Sequence, residues 1–253
     1  MSEPPLPLTD APLVLARGLS LDGPRGPVFE SVEVTLHQGD LLAVAGPVGS
    51  GRTCLLLTLS GRMRPSAGDL VVAGHPLPRH ASAARRASGL AEIAGVNDLD
   101  PRMTVAEHLH ERLALVDPWW HLGLARASRT RARATELLHR IDRLDPDPAP
   151  WDLRAPVATL TAPRRWRLGL AAALADAPSL VLVDDLDTLG DVPDVAAAWT
   201  LLRRLADTGP GVVAACTDTS RIPDGVADAV LPLTTAGAAT AAGTATPRTR
   251  ALA

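Results

Sequence analysis

One short glycine-rich segment constrains the fold of this chain more than any other part of its sequence. Residues 46–53 read GPVGSGRT, in which Gly46, Gly51 and Thr53 occupy the fixed positions of a GxxxxGK[ST] phosphate-binding loop. An apolar run at 41–45 precedes the loop, and an apolar segment at 53–60 with the pattern of a helix follows it. This strand–loop–helix context distinguishes a nucleotide-binding loop from a chance match, so we expect nucleotide phosphates to bind here.

Arginine at position 52 is the one departure from the loop motif, which has lysine there. The predicted phosphate-binding residues are Gly46, Pro47, Val48, Gly49, Ser50, Gly51, Arg52 and Thr53. The whole chain has no lysine, so this arginine fits a general exchange of lysine for arginine as well as a loss of function. It keeps the positive charge, but its planar fork is longer than the lysine ammonium and contacts phosphate differently.

Composition narrows the class of protein further. With 253 residues the chain can bury a large core, and its net charge of −3 gives no sign of nucleic acid or an anionic membrane as partner. Only two cysteines occur, both in apolar segments, which fits a reducing cytoplasm and no disulfide framework. The first residues lack the pattern of a signal peptide, and no apolar run approaches the roughly 18 residues that span a bilayer.

Apolar runs divide the chain into a strand-rich part and a helical part. Runs at 13–16, 32–36, 41–45, 70–73, 180–183, 212–215 and 227–233 are predicted to form strands. Several are continuously apolar, which is typical of strands covered on both faces in an α/β sheet. We expect one domain over 11–233 with a helical insertion at about 100–175, between a disordered lead-in at 1–10 and a disordered low-complexity tail at 234–253.

A second motif lies at 179–185, where SLVLVDD is an apolar strand that ends in two carboxylates. Alone it is weak evidence, because a strand that ends in an acidic turn is equally common. With the upstream loop it becomes strong, since phosphate-loop proteins hold Mg²⁺ with the loop Ser or Thr and the first such acid. Thr53 and Asp184 are therefore the predicted Mg²⁺ residues.

Together these motifs resemble the nucleotide-binding domain of ABC transporters. The similarity extends from about 13 to 233, and LTAPR at 160–164 stands where the family has its LSGGQ signature. The resemblance implies a P-loop NTPase fold of ABC type, with a mostly parallel core sheet, a small antiparallel β part and a helical subdomain. It also implies ATP and Mg²⁺ as ligands, a membrane-embedded permease as partner, and pairing as a homodimer or as a heterodimer with another ABC ATP-binding chain. The expected location is cytoplasmic, peripheral at the inner face of the cell membrane.

Several positions depart from the family pattern. By resemblance Asp185 is the catalytic residue, one methylene shorter than the family glutamate that orients the attacking water. In the signature-like segment Thr161 keeps a hydroxyl and Ala162 follows, but Pro163 has no N–H to donate. Asp191 matches the aspartate of the D-loop.

The sensing positions are also replaced. The Mg²⁺-sensing glutamine aligns with Gly95 and the switch histidine with Thr217, and no aromatic ring precedes Val28 to stack on adenine. Three hypotheses remain open: an ATP-binding transporter subunit with slow hydrolysis, a pseudo-ATPase with a regulatory or structural role, and another P-loop enzyme such as a small-molecule kinase. The signature-like segment favours the first two.

Other polar and aromatic groups are given ordinary interpretations. His108 and His110 point to different faces of a helix, so we expect a solvated surface and no metal site. The arginines at 126–133 lack interleaved aromatic residues, so nucleic acid is not an expected partner. Trp119 and Trp120 fit a docking patch and core packing equally well.

Overall fold

Two sheets organise residues 11–116, 124–145, 148–234 and 244–245, which are the part of the chain that the computed structural model describes. The first sheet is mainly antiparallel, in the order β10-β2-β1-β4-β5. Its strands are β1 (Val14–Gly23), β2 (Gly26–Leu36), β4 (Ala67–Val72), β5 (His75–Leu77) and β10 (Thr244–Ala245), the last of which pairs in parallel with β2.

The second sheet is parallel throughout, in the order β6-β7-β8-β3-β9. It consists of β3 (Leu41–Ala45), β6 (Ser88–Leu90), β7 (Leu180–Val183), β8 (Gly211–Cys216) and β9 (Ala229–Pro232). Every residue of β3, β7 and β8 is buried, because apolar side chains alternate between two cores on opposite faces of this sheet.

Six helices occur in the described residues: α1 (Arg52–Leu59), α2 (Ala81–Ala87), α3 (Val105–Val116), α4 (Leu124–Leu144), α5 (Ala162–Ala173) and α6 (Val192–Asp207). On one face of the parallel sheet α1 and the antiparallel sheet share a core, and on the other face α3 to α6 share a second one. Val105, Leu109 and Leu113 of α3 line the second core at the four-residue spacing of one helical face, inside the predicted helical insertion. No helix among the described residues is long and apolar enough to cross a membrane.

The α/β fold with a parallel core sheet, an antiparallel sheet and a helical part is confirmed. Each of the seven predicted runs overlaps one strand, whereas β5, β6, β10, α2 and α6 were missed. Strand β6 reads SGL, too short and too polar to be recognised, and its Gly89 lies against the backbone carbonyl of Ala173 so closely that a Cβ would overlap it. The predicted lead-in at 1–10 lies outside the described residues, as does most of the predicted tail, apart from Thr234 and β10.

Candidate functional site

The glycine-rich loop connects the end of β3 to the start of α1 at the carboxyl edge of the parallel sheet. The Gly46 N–H donates to the carbonyl of Cys216 at 3.1 Å, which ties the loop to the end of β8. Within the loop the Ser50 N–H donates to the carbonyl of Pro47 at 3.1 Å. Ligands of open parallel sheets bind at this edge, so the loop lies where a phosphate site is expected.

Two glycines of the loop are required by close backbone approach. Gly51 has a φ of +87°, and a Cβ there would lie 2.8 Å from Cγ1 of Val28. A Cβ on Gly46 would overlap the carbonyl of Leu233 and lie 2.6 Å from the Ser50 hydroxyl. The loop therefore follows a path that larger residues cannot take at these positions.

The two predicted Mg²⁺ residues meet across 131 positions of sequence. The Thr53 hydroxyl donates to Oδ2 of Asp184 at 2.6 Å, and Oδ1 of Asp184 accepts the Asp185 N–H at 3.0 Å. Thr53 lies in the first turn of α1, after β3, and Asp184 directly follows β7, so the ends of two strands that only β8 separates supply the pair. A hydroxyl and a carboxylate oxygen are suitable ligands for a hard divalent cation.

Three buried polar atoms beside this pair have no hydrogen-bond partner among the described residues. They are the Ser50 hydroxyl, Nη1 of Arg52 and Oδ1 of Asp185. Arg52 is 8% exposed, and its Nη1 lies 3.9 Å from Oδ1 of Asp185, close enough for an ion pair but not for a hydrogen bond. Since buried polar groups are normally hydrogen-bonded, a guanidinium nitrogen and a hydroxyl without hydrogen bonds at a glycine-rich loop fit an oxyanion ligand.

Asp185 is held in an unfavourable electrostatic position. Its backbone is left-handed, with a φ of +41°, and burial raises the pKa of its carboxyl. The charge of Arg52 lowers this pKa, while the charges of Asp184 and Asp187 raise it, and the net pKa is above the ordinary value. The site thus contains a carboxylate whose ionised form is destabilised, which is common among groups that exchange protons during catalysis.

We predict that Asp185→Asn raises the thermal unfolding temperature at neutral pH. Because folding raises this pKa, the protonated carboxyl stabilises the fold at acid pH, and that contribution is lost as the pH rises through the folded-state pKa. Asparagine cannot ionise, so the increase in unfolding temperature of the variant over the original chain should shrink as the pH falls towards about 4. Thermal unfolding across pH measures it, with exposed Asp176→Asn as the matched control. An unchanged unfolding temperature at neutral pH would show that Arg52 compensates the burial fully.

A cavity of about 430 Å³, here named the phosphate-side cavity, opens beside Thr53, Asp184 and Asp185. Its other wall includes Glu92 and Arg165. Nε of Arg165 donates to both carboxylate oxygens of Glu92, at 3.1 and 3.2 Å, and its Nη2 makes a further short contact. The cavity is therefore bounded by an ion pair that links the segment after β6 to α5.

Sequence reasoning missed Glu92 and placed the sensing position at Gly95. The phosphate-side cavity is lined by Glu92, Ile93 and Ala94, and Gly95 is not part of its lining. The Gly95 N–H instead donates to a carboxylate oxygen of Asp98 at 2.8 Å. In the segment between β6 and α3 it is therefore a carboxylate, and not the glycine, that faces the site.

The signature-like residues lie at the start of α5. Thr161 is the N-cap residue but makes no side-chain capping bond, and both Thr161 and Ala162 are exposed. Ala162 lines the phosphate-side cavity, and Pro163 occupies the second helical position, where a missing N–H costs the helix nothing. The exposed N-terminus of α5 is therefore free of capping by its own side chain.

The two remaining predicted site residues lie farther along the carboxyl edge. Asp191 is exposed at the N-cap of α6 and makes no side-chain capping bond. Thr217 follows β8, and its backbone N–H donates to Oδ2 of Asp187 at 2.5 Å. Asp187 thus joins the turns after β7 and β8.

The expectation of a solvated surface at His108 was wrong. This residue is 7% exposed, and its Nε2 lies 3.0 Å from the backbone carbonyl of Asp100. No cluster of ligand residues suited to a metal ion by side-chain type occurs in the described ranges. Trp119, Trp120 and His121 lie outside the described residues.

Comparisons with known proteins agree with this geometry. The family model described as ABC transporter matches residues 29–187. The ribose import ATP-binding protein RbsA 1 of Rubrobacter xylanophilus is 31% identical over 208 residues, which is 80% of this chain and 38% of that protein. The daunorubicin resistance ATP-binding protein DrrA3 of Streptomyces coeruleorubidus is 33% identical over 187 residues, 73% of this chain and 54% of that protein. The chain thus spans less than two thirds of either relative.

Solved structures match the fold along most of the chain. The dimeric structure of a bacterial ABC transporter cassette superposes with a TM-score of 0.70 at 19% identity, covering 88% of this chain and 94% of that one. A Clostridium perfringens protein described as part of the ABC transporter complex cbiONQ gives a TM-score of 0.71 at 17% identity, with 88% and 85% covered. At these identities the likeness shows the fold alone.

Proposed function

Because this chain belongs to the ABC transporter ATP-binding family, we propose that it binds Mg-ATP at residues 46–53 and serves as the ATP-binding subunit of a transporter. The observation that carries the proposal is the 2.6 Å contact between Thr53 and Asp184 beside the unpaired polar atoms of Ser50 and Arg52. The hydroxyl and carboxylate suit a divalent cation, and the guanidinium suits the phosphate oxygens that the cation would neutralise.

Each residue of the site has a distinct role in this proposal. The loop N–H groups and the start of α1 bind phosphate oxygens, and the buried guanidinium of Arg52 neutralises their charge. Thr53 and Asp184 hold Mg²⁺, which supplies further neutralisation of phosphate charge when it is bound. In this proposal Asp185 accepts a proton from the attacking water, and Arg52, whose Nη1 lies 3.9 Å from Oδ1 of Asp185, contacts the phosphates.

Slow hydrolysis follows from three substitutions. The Asp185 side chain is one methylene shorter than a glutamate, and a misplacement of about 1 Å in a catalytic group can cost on the order of 100-fold in rate. Pro163 removes a donor N–H from the exposed start of α5, and Thr217 has no imidazole. In a homodimer both sites would face Pro163, whereas a heterodimer with an intact ABC ATP-binding chain would have one site without it.

The partner in this proposal is a membrane-embedded permease, and the location is the cytoplasmic face of the cell membrane. Membership of the family supports both, since the names of the two relatives above describe ATP-binding proteins of ribose import and of daunorubicin resistance. Pairing of two ATP-binding chains is supported by the dimeric cassette with the same fold.

A regulatory pseudo-ATPase is the second candidate, and the contact between Arg52 and Asp185 favours it. In the described site Nη1 of Arg52 lies 3.9 Å from Oδ1 of Asp185, so the loop cation can neutralise the residue that would act as base. Steady-state turnover of Mg-ATP, measured for the chain alone and with a co-encoded membrane protein, separates the two candidates. Turnover that Arg52→Ala and Asp184→Asn both abolish would rule out the purely structural role.

The direct test of the proposed function is calorimetric titration of the purified chain with Mg-ATP. We expect saturable binding in the micromolar to low-millimolar range, together with a rise in unfolding temperature, because a ligand that binds only the folded state stabilises it. Absence of binding, with no stabilisation by ATP or ADP at millimolar concentration, would refute the proposal.

A further inference from the structure

A second cleft, of about 190 Å³, opens at the opposite end of α1 from the glycine-rich loop. The eight residues of α1 separate the two places by about 12 Å along the helix axis. Arg62, Arg64 and Arg85 line this cleft, here named the arginine cleft, and Leu77, Pro78 and Ala81 form its apolar wall. It lies between the loop that follows α1 and the start of α2.

Every charged residue in the lining of the arginine cleft is an arginine. No carboxylate in the described ranges forms an ion pair with Arg62, Arg64 or Arg85. The surrounding sequence has the same bias, since residues 60–88 contain five arginines and one aspartate although the whole chain has a net charge of −3. Arg62 also lines a second cavity that contains Glu92, Asp98 and Glu111, yet within the described ranges the arginine cleft itself holds three positive charges without an ion-pair partner.

Two of the guanidinium groups are fixed in place by hydrogen bonds. Nη1 of Arg85 donates to the Gly61 carbonyl and Nη2 donates to the Ser82 hydroxyl, both at 3.0 Å. Nη1 of Arg62 donates to the Ser88 hydroxyl at 3.2 Å. Each guanidinium has five N–H donors, so several donors on each fork are left for a ligand. Prior fixation reduces the entropy lost when an anion binds.

Electrostatics support the same interpretation. Partial burial of the Arg62 guanidinium lowers its pKa, and the charges of Arg112 and Arg85 lower it further. An anion bound between these guanidinium groups would stabilise the charged form of Arg62, which the neighbouring positive charges destabilise. Capping of the carbonyl groups after α1 by Arg85 explains only part of the arrangement, because the exposed Arg64 also lines the cleft.

We propose that the arginine cleft binds a phosphate-type oxyanion, either free phosphate or the phosphate of a lipid headgroup. Forked guanidinium groups match the several oxygens of a phosphate, and they bind it more strongly than neutral donors do. The lining has no aromatic side chain that could stack on a base, so it fits a phosphate group better than a whole nucleotide. The site is distinct from the glycine-rich loop and does not depend on the function proposed for that loop.

The first test titrates inorganic phosphate into the full chain labelled with ¹⁵N at arginine and follows the side-chain Nε–H signals. The titration is made in an Arg52→Ala background, so that the glycine-rich loop does not dominate phosphate binding. We expect saturable shifts of the Arg62 and Arg85 signals, and Arg85→Gln should weaken binding at least about tenfold by removing charge-assisted hydrogen bonds. Arg154→Gln, at an exposed arginine elsewhere, is the matched control.

A second arm identifies the source of the phosphate. Co-sedimentation with vesicles that contain phosphatidylglycerol is compared with vesicles of phosphatidylcholine alone. Vesicle binding that requires anionic lipid and is lost in Arg62→Gln/Arg85→Gln assigns a lipid headgroup, whereas phosphate shifts without vesicle binding assign free phosphate. If Arg85→Gln lowers the unfolding temperature but changes neither measurement, the arginines only cap backbone carbonyls and the proposal is overturned.

Discussion

Asp184→Asn is expected to weaken Mg-ATP binding by about 10- to 100-fold, the effect of losing one charge-assisted contact worth about 1.5–3 kcal/mol. The amide keeps the shape of the side chain and can still accept the Thr53 hydroxyl, which donates to Oδ2 at 2.6 Å. What disappears is the negative charge that attracts the cation. Calorimetry with Mg-ATP measures the change.

The sign of this effect should reverse when Mg²⁺ is removed. Without the cation Asp184 only repels the phosphate charges, so Asp184→Asn should bind ATP at least as tightly as the original chain in the presence of a chelator. Thr53 provides a matched pair, because Thr53→Ser keeps the hydroxyl and Thr53→Ala removes it. Only Thr53→Ala should lose Mg²⁺-dependent affinity. An equal Mg²⁺ dependence in Asp184→Asn and the original chain would show that Asp184 does not contribute to a cation site.

The parts of the site that the sequence predicts are those with a local pattern. The loop at 46–53 has fixed glycine spacing, and β3 and β7 are uninterrupted apolar runs, so their positions follow from the chain alone. The contact between Thr53 and Asp184 follows from these, because all parallel strands end at the same edge of the sheet and only β8 separates β3 from β7.

The missed features depend on packing between distant segments. Glu92 reaches the phosphate-side cavity because Gly169 of α5 leaves space, with a Cβ built on it only 3.2 Å from the Cβ of Glu92. His108 is buried, and its Nε2–H donates to the backbone carbonyl of Asp100 at 3.0 Å, a contact between separate segments that helical periodicity does not reveal. Sequence patterns also do not reveal that Arg52 lies near Asp185, because their proximity depends on the left-handed backbone at Asp185.

Trp199→Ala is expected to lower the free energy of unfolding by about 3–5 kcal/mol, the usual cost of replacing a fully buried large aromatic residue by alanine. Trp199 lies in the middle of α6 with 0% of its surface exposed, in the core that α6 shares with β3, β7 and β8. A loss of this size is a large fraction of the about 5–15 kcal/mol that stabilises a typical protein. Urea denaturation measures it, provided that two optical probes give coincident transitions.

Trp199→Phe is the control that separates ring volume from the polar atom. The indole Nε1 is buried without a hydrogen-bond partner among the described residues, and such a donor costs about 1–3 kcal/mol. Phenylalanine removes this donor and leaves a smaller cavity than alanine, so the two effects offset each other and the variant should lose less than half as much stability as Trp199→Ala. Because α6 begins at the end of the turn that carries Asp184 and Asp185, its correct packing also determines where those carboxylates lie. If Trp199→Phe is as destabilised as Trp199→Ala, the indole N–H has a partner such as a buried water, and Trp199 anchors α6 through a polar contact.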